Sequence, residues 1–303
     1  MKQSLVKKLT AGILTGALAI SVTACGGNSA DTNNASTNAD VSAETENSGD
    51  VTVINAVTGG SPKPYISVEE DGSYSGYDIE VLQAVFDRLP QYSLNLQTAE
   101  FDAIFSGLTA GNYQIAVNNF SYNEKRAESY YYSFPYDEIK YVFVQRADDE
   151  PLTSLQDAAD RGYKIEAGAG VNVTNAIEKW NEENPESQIE IIYTEADLSV
   201  VFEHIQDGTS DFRVDDLPIY NSYIEEFGFN GLQKTELSAD ETAKFSTALD
   251  AYFLFPLNDE GAALREDVNK VLLQEDGTLE ELSQKYFGAG QVPSADKFET
   301  PIN

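Results

Sequence analysis

Cysteine is almost missing from this chain: Cys25 is the single one in 303 residues, so no internal disulfide can form and a Cys-built metal cage is excluded. Histidine is equally scarce. His204 stands alone, with no second His and no clustered Cys to complete a ligand set, so no metal is expected and a surface or core histidine is the default. Positive charge is the third deficit. Nineteen Lys and Arg face 51 Asp and Glu for a net charge of −32, which argues against nucleic acid and against adhesion to anionic lipid through basic patches. It says little about a small ligand. Long apolar runs are missing too: the stretch from Leu9 to Val22 is short and interrupted by Thr, Gly and Ser, which suits a secretory signal better than a membrane span.

The basic start (Lys2, Lys7, Lys8) and the small residues before Cys25 agree with that signal. Val22-Thr23-Ala24-Cys25 resembles a lipobox, in which the Cys is diacylated and becomes the mature N-terminus; Val22 stands where Leu is usual. The alternative is an ordinary cleaved signal with an incidental Cys. From Gly26 to Asp50 almost nothing is apolar, so this segment cannot bury enough surface to offset its ordering entropy and is expected to be a disordered tether. Residues 1–24 are thus read as a lipoprotein signal peptide and 25–50 as a tether. Roughly 250 residues remain, enough for one large domain or two lobes.

Those residues alternate strand and helix signals. Val51–Val57 is strand-like; Ile79, Leu82, Val85, Phe86 and Leu89 fall at helical spacing and stop at Pro90; Tyr92–Leu96 alternates as a strand; Phe101–Ala110 reads as a helix ended by Gly111; Gln114–Val117 is a short apolar strand. Such repetition implies right-handed crossovers and a mostly parallel sheet. The pattern restarts after Tyr136. Strands are expected at Tyr141–Val144, Tyr163–Ala167 and Ile189–Tyr193, with helices opened by the capping box Thr153–Gln156, running through Trp180, and capped by Asp197. Tyr252–Pro256 reads as a further strand, followed by helices over Glu260–Leu273 and from Thr278 to Gly288.

The run Asn118-Asn119-Phe120-Ser121-Tyr122-Asn123-Glu124-Lys125-Arg126 is placed by this reading beyond a strand's carboxyl end, where open α/β sheets bind ligands. A guanidinium grips a carboxylate with two parallel bonds, and Asn and Ser side chains supply further donors and acceptors. By itself the run is equally a polar surface loop with a solvated Arg. Together with Phe101-Asp102-Ala103-Ile104 and Tyr132-Ser133-Phe134-Pro135-Tyr136, however, it resembles the extracytoplasmic solute-binding proteins of polar amino-acid ABC transporters. This is bacterial solute-binding protein family 3, with the type 2 periplasmic-binding fold, and the resemblance runs from about Val51 to Gly288. It implies that Arg126 grips a ligand α-carboxylate with Ser121, Asn119 and Asn118 beside it. Asn118-Asn119 stands where many relatives carry small hydroxyl or Gly residues, and Asn123 where Thr is usual.

Further signatures extend the resemblance. Pro64-Tyr65 followed by Gly76-Tyr77-Asp78 implies an aromatic ligand wall from Tyr65 or Phe101, although aromatics this near a buried strand are more often core; Asp78 is read as structural. Gly168-Ala169-Gly170-Val171-Asn172, between a strand and a helix, presents backbone N–H groups to an anion. It lacks a Gly-Lys-Ser/Thr ending and a full dinucleotide fingerprint, so nucleotide binding is not favoured. In the family this turn closes over the ligand carboxylate, which makes Asn172 a candidate with the register open by two. Gly208-Thr209-Ser210-Asp211-Phe212-Arg213-Val214-Asp215-Asp216 resembles the strand whose final Asp meets the ligand ammonium. That implies Asp216, with Asp215 as the competing assignment and a helix cap as the alternative role. Arg213 either reaches the ligand side chain or is an edge-strand charge. Lys285-Tyr286-Phe287-Gly288 matches the family's terminal signature.

The resemblance implies a two-lobed α/β fold: residues 51–138 and 253–289 in the first lobe, 139–252 in the second, 290–303 as a tail, and two hinge crossings near Asp137–Lys140 and Ala251–Phe253. It implies a monomeric binding lipoprotein, with no cofactor and no catalytic residue, that is anchored outside the cell membrane by Cys25 and delivers an amino acid to a permease. The Asn-rich loop leans toward cystine-type relatives, and because no acid can be placed in the expected pocket wall while Arg213 would repel a cationic side chain, cystine or another polar, non-cationic amino acid is expected. An enzyme of dehydratase type on the same fold, or a ligand sensor, are the other classes.

Overall fold

In a computed structural model the described residues are 51–303 apart from Thr247, Glu275 and Ala289; the expected signal, Cys25 and the tether lie outside them. The chain begins with β1 (Thr52–Thr58), the short hairpin β2 (Ser67–Val68) and β3 (Tyr74–Ser75), α1 (Tyr77–Phe86), β4 (Tyr92–Thr98), α2 (Phe101–Thr109) and β5 (Ile115–Ser121). One helical turn, α3 (Glu124–Ala127), leads to β6 (Tyr130–Tyr132) and β7 (Asp137–Glu138). A second series follows: β8 (Tyr141–Arg146), α4 (Leu155–Asp160), β9 (Lys164–Ala167), α5 (Asn172–Glu183), β10 (Glu190–Tyr193), α6 (Leu198–Asp207), β11 (Phe212–Asp216), α7 (Leu217–Phe227), β12 (Leu232–Glu236) and α8 (Ala239–Phe245). Then come β13 (Asp250–Pro256), α9 (Asp259–Leu272) and α10 (Thr278–Phe287).

The strands form two separate large sheets. The first has the order β4-β1-β5-β13-β6, with β7 also on β13; the second has the order β10-β9-β11-β8-β12. Both are mixed. β1 is parallel to β4 and β5, but β13 is antiparallel to β5, β6 and β7. In the second sheet β9 is parallel to β10 and β11, whereas β8 is antiparallel to β11 and β12. The chain is thus two-lobed α/β, leaving the first sheet after β7 and returning to it at β13.

The strand cores follow from composition. Ile115-Ala116-Val117 and every residue of β13 are buried, the continuous burial of strands covered on both faces. α1 turns Ile79, Leu82, Val85 and Phe86 inward at helical spacing. It starts after Gly76, whose φ of 114° and approach to the Tyr65 carbonyl leave no room for a Cβ, which would sit 2.2 Å from that oxygen. This contact fixes the loop after β1 against the start of α1. One expectation changes. β5 does not stop at Val117 but continues through Ser121, because β13 pairs with it as far as Ser121 and Phe120, so Asn118 and Asn119 sit within the strand.

Candidate functional site

A cleft of about 1330 Å³ lies between the two sheets. From the first lobe Phe101, Asn118, Asn119, Ser121 and Arg126 line it; from the second, Asn172, Arg213, Asp215 and Asp216. Tyr65 does not. It is fully buried, packs against Tyr77 and Phe287 with ring centroids 6.3 and 5.3 Å away, and reaches the site only through its hydroxyl.

Arg126 sits in the single turn α3, which Asn123 caps by accepting the Arg126 N–H at 3.0 Å. Its guanidinium lies 5.1 Å from the Phe105 ring centre and 5.3 Å from that of Phe120, and one Nη donates to the Ser121 carbonyl at 3.2 Å. Burial pulls its pKa down from the usual value while Tyr132 opposes the shift. No described carboxylate lies within ion-pair range of Arg126, so the cleft holds a partly desolvated cation with room for an anion.

Ser121 Oγ accepts from the Asn172 amide, which also donates to the Tyr122 carbonyl at 3.0 Å; Asn123 donates back to Asn172 Oδ1 at 3.0 Å. Asn172 opens α5 at the end of the Gly-rich turn, so these bonds join the two lobes. Asn118 instead faces its own sheet. Its Oδ1 accepts from the Gly59 N–H at 2.8 Å and the Thr58 hydroxyl at 3.1 Å, holding the loop after β1. Asn119 has φ 44°, a left-handed value that Asn tolerates better than most residues, and its N–H donates to the buried Asp78 at 2.5 Å.

Asp215 and Asp216 have different surroundings. Asp215 takes two bonds from Arg213, at 2.8 and 2.9 Å, and Arg213 donates a third to the Glu166 carbonyl at 3.0 Å. That pair is closed on itself. Asp216 occupies the residue before α7 but makes no side-chain cap bond; one oxygen accepts the Lys140 N–H at 2.8 Å and the other accepts the Tyr65 hydroxyl from the first lobe. Burial raises its carboxyl pKa to about 6, against the lowering effect of those bonds.

Residues that sequence reasoning missed complete the cleft. Glu100, Asp102, Glu195 and Asp197 all line it, Glu100 and Asp102 from the first lobe and Glu195 and Asp197 from the second. Glu100 and Asp102 flank Phe101 at the start of α2, which was the available signal. They supply acids where the sequence reading found none.

Residues 54–289 match the family model of bacterial extracellular solute-binding proteins, family 3. The chain belongs to that family. It is 25% identical over 231 residues to the L-cystine-binding protein TcyJ of Bacillus subtilis (strain 168), covering 75% of this chain and 81% of that protein. The probable amino-acid-binding protein YxeM of the same organism is 27% identical over 240 residues, 78% of this chain and 85% of the relative. Among solved structures, one from a study of glutathione import in Gram-positive bacteria via GshT and the cystine ABC importer TcyBC of Streptococcus mutans is similar with a TM-score of 0.74 and 31% identity, covering 81% of this chain and 99% of that one. The two curated relatives are named as binding proteins, and the structural likeness agrees with the two-lobed arrangement.

Proposed function

We propose that the chain is the substrate-binding lipoprotein of an amino-acid ABC importer, capturing a polar amino acid, cystine in first place, between its lobes and delivering it to a permease. The observation that carries this is the opposed pair in one cleft: Arg126 from the first lobe and Asp216 from the second. A zwitterionic α-carbon head presents one carboxylate and one ammonium, and a single cation and a single acid facing each other across a closing cleft match it. Ser121 stands beside Arg126 and Asn172 beside Ser121, while Asn119 lines the same cleft nearer Asp216. Asp216 is favoured over Asp215 because Asp215 is already bound twice by Arg213.

Cystine is favoured by the curated relative named for it and by the mixed charge of the cleft, since its second head carries both a carboxylate and an ammonium. With Arg213 held by Asp215, the open groups of the cleft are mostly acids. A dibasic amino acid is therefore the second reading, supported by Glu100, Asp102, Glu195 and Asp197. A thermal-shift screen of the twenty amino acids, cystine and glutathione decides between them, because a ligand at a hundred times its dissociation constant adds about 2.7 kcal/mol of stability. Stabilisation by cystine supports the first reading; by arginine or lysine alone, the second; by none of the set, a different solute class.

A further inference from the structure

Behind the cleft the first lobe holds a set of buried oxygens poorly served by hydrogen bonds, namely both carboxylate oxygens of Asp137, Asp78 Oδ1, Asn119 Oδ1 and the Tyr136 hydroxyl, with Tyr65 and the Glu138 N–H as the donors nearest Asp137 and Tyr136 facing Asp78. Native structures rarely leave such atoms bare, and a bound water or ion, local strain or a functional role accounts for those that are. Asp137 belongs to β7, the last strand of the first lobe before the chain crosses to β8. Its backbone pairs with Ala251 of β13, so its carboxyl is held at the hinge itself.

The groups around it are almost all acidic or phenolic. Tyr65 comes from the loop after β1, Tyr77 and Asp78 from α1, Tyr136 and Glu138 from its own segment, and Asp216 from β11. On β13 Asp250 is already paired with Lys297 at 2.7 Å, and on α10 Glu280 adds one more acid that bears on Tyr77. The charges that bear most on Asp137 are Asp216 and Asp78, both repulsive to an ionised carboxylate. Burial first, and those neighbours second, hold the Asp137 carboxyl well above its ordinary pKa; burial raises that of Asp78 to about 8. Tyr65 connects this set to the cleft, because its hydroxyl donates to Asp216 and bears on Asp137 as well.

We propose that Asp137 is a proton-holding residue of the ligand site, and that an amino-acid ammonium arriving at Asp216 expels its proton, so that solute capture is coupled to proton release at the hinge. The inference rests on the reading of Asp216 as the ammonium receptor. The exchange balances: one positive charge enters the buried acid cluster as the ligand ammonium, and one leaves as a proton from the Asp137 carboxyl to bulk buffer. Tyr65 is the positioning group, holding Asp216 toward the cleft while its oxygen faces Asp137. The coupling makes affinity rise with pH, by up to about tenfold per pH unit for each proton released.

The test is titration calorimetry of the full mature chain with cystine between pH 6 and 8, in buffers of different ionisation enthalpy, on wild type and Asp137→Asn. The amide is close to the carboxyl in shape and keeps one acceptor oxygen, so the substitution removes the titrating proton with little change of volume. Wild type is expected to release more protons than Asp137→Asn near pH 7, by about one, and the variant's dissociation constant is expected to keep only the weaker pH dependence that the Asp216 carboxyl contributes. Equal release by both proteins overturns the proposal while leaving the cleft assignment intact. If cystine, arginine, glutamate and glutathione all give no heat, the ligand reading fails, and the coupling proposed here fails with it. A ligand-free measurement guards against a misfolded variant: urea unfolding of wild type is expected to show stability falling as pH rises from 5 to 8, and of Asp137→Asn to show a shallower fall. Identical slopes overturn the assignment of the proton to Asp137.

Discussion

Replacing Tyr65 by Phe removes one hydroxyl and nothing else, and it tests how the two lobes are joined behind the cleft. The Tyr65 ring packs on Tyr77 and Phe287, contacts that Phe keeps. What disappears is the bond to Asp216, whose residue is 3% exposed, so water cannot readily take the place of the lost donor. A bond to a charged acceptor is worth about 1.5–3 kcal/mol, one between neutral groups about 0.5–1.5 kcal/mol. The pH dependence follows from the Asp216 carboxyl, raised from 3.8 to about 6 by burial. A raised carboxyl contributes stability that is fully present below the ordinary value and is lost as pH rises through the folded one. Without the Tyr65 hydroxyl the folded value rises further, so in the variant the Asp216 contribution goes on falling above pH 6, where in wild type that one contribution is complete and only the part from the other buried acids, common to both proteins, continues. Urea unfolding at pH 5 is therefore expected to show a loss of about 0.5–1.5 kcal/mol, growing to about 1.5–3 kcal/mol at pH 7.5. A loss that is the same at both pH values, or that shrinks on raising pH, refutes the picture of a hydroxyl serving an ionised Asp216.

Arg126→Ala and Asp216→Ala are each expected to weaken binding of the screened amino acid by about a hundred- to a thousandfold, since removing one partner of a desolvated charge pair costs about 3–5 kcal/mol; calorimetry reads it, and normal binding by Asp216→Ala with loss in Asp215→Ala moves the receptor to Asp215. Asn172→Ala breaks three inter-lobe hydrogen bonds and is expected to raise the dissociation constant by about five- to thirtyfold, equivalent to about 1–2 kcal/mol. Small-angle scattering of the ligand-free variant is expected to show a larger radius than wild type; an unchanged radius and affinity remove Asn172 from closure. Cys25→Ala is expected to release the protein from the membrane fraction on cell fractionation, and unchanged retention excludes the lipid anchor.

The regular elements were legible where one local rule decides them. α1 carries its apolar spacing and its Pro90 stop, Asp197 caps α6 as read, and β11 ends at Asp216 with α7 following directly. The capping register was off where two candidates adjoin: Ser154 rather than Thr153 accepts the Asp157 N–H. β12 and α8 went unread. Leu232-Gln233-Lys234-Thr235-Glu236 buries only Leu232 and takes its strand form from pairing with β8, a partner far away in sequence. The same reason hid the acid cluster. Asp78, Asp137 and Asp216 are ordinary residues of three separate segments, and only the meeting of α1, β7 and β11 makes them neighbours. Tyr65 shows the converse: motif resemblance brought it to the site, but a motif does not tell whether a ring or its hydroxyl reaches the ligand.

The two lobes are in contact, and the contacts that hold them so are of unequal worth. Lys63 and Glu226 meet at 2.7 Å, but both are largely exposed, with 43% and 38% of their side-chain surface open, so this pair adds about 0–1 kcal/mol and is weakened by salt. Tyr65 with Asp216, and Asn172 with Ser121, are buried and directional, yet each also blunts the ligand's contribution by satisfying a group the ligand would otherwise satisfy. A ligand shifts a conformational equilibrium only by its differential affinity for the two states. If these contacts alone closed the cleft, a solute would gain nothing by closing it and a permease could not tell loaded from empty protein. The arrangement resolves this because the Arg126 guanidinium, without a described carboxylate partner, and the buried Asp216 carboxyl, which burial penalises when ionised, both disfavour closure of an empty cleft. A zwitterion supplies the anion for the first and the cation for the second, so the charges that disfavour the empty closed form are the ones that make the filled one stable.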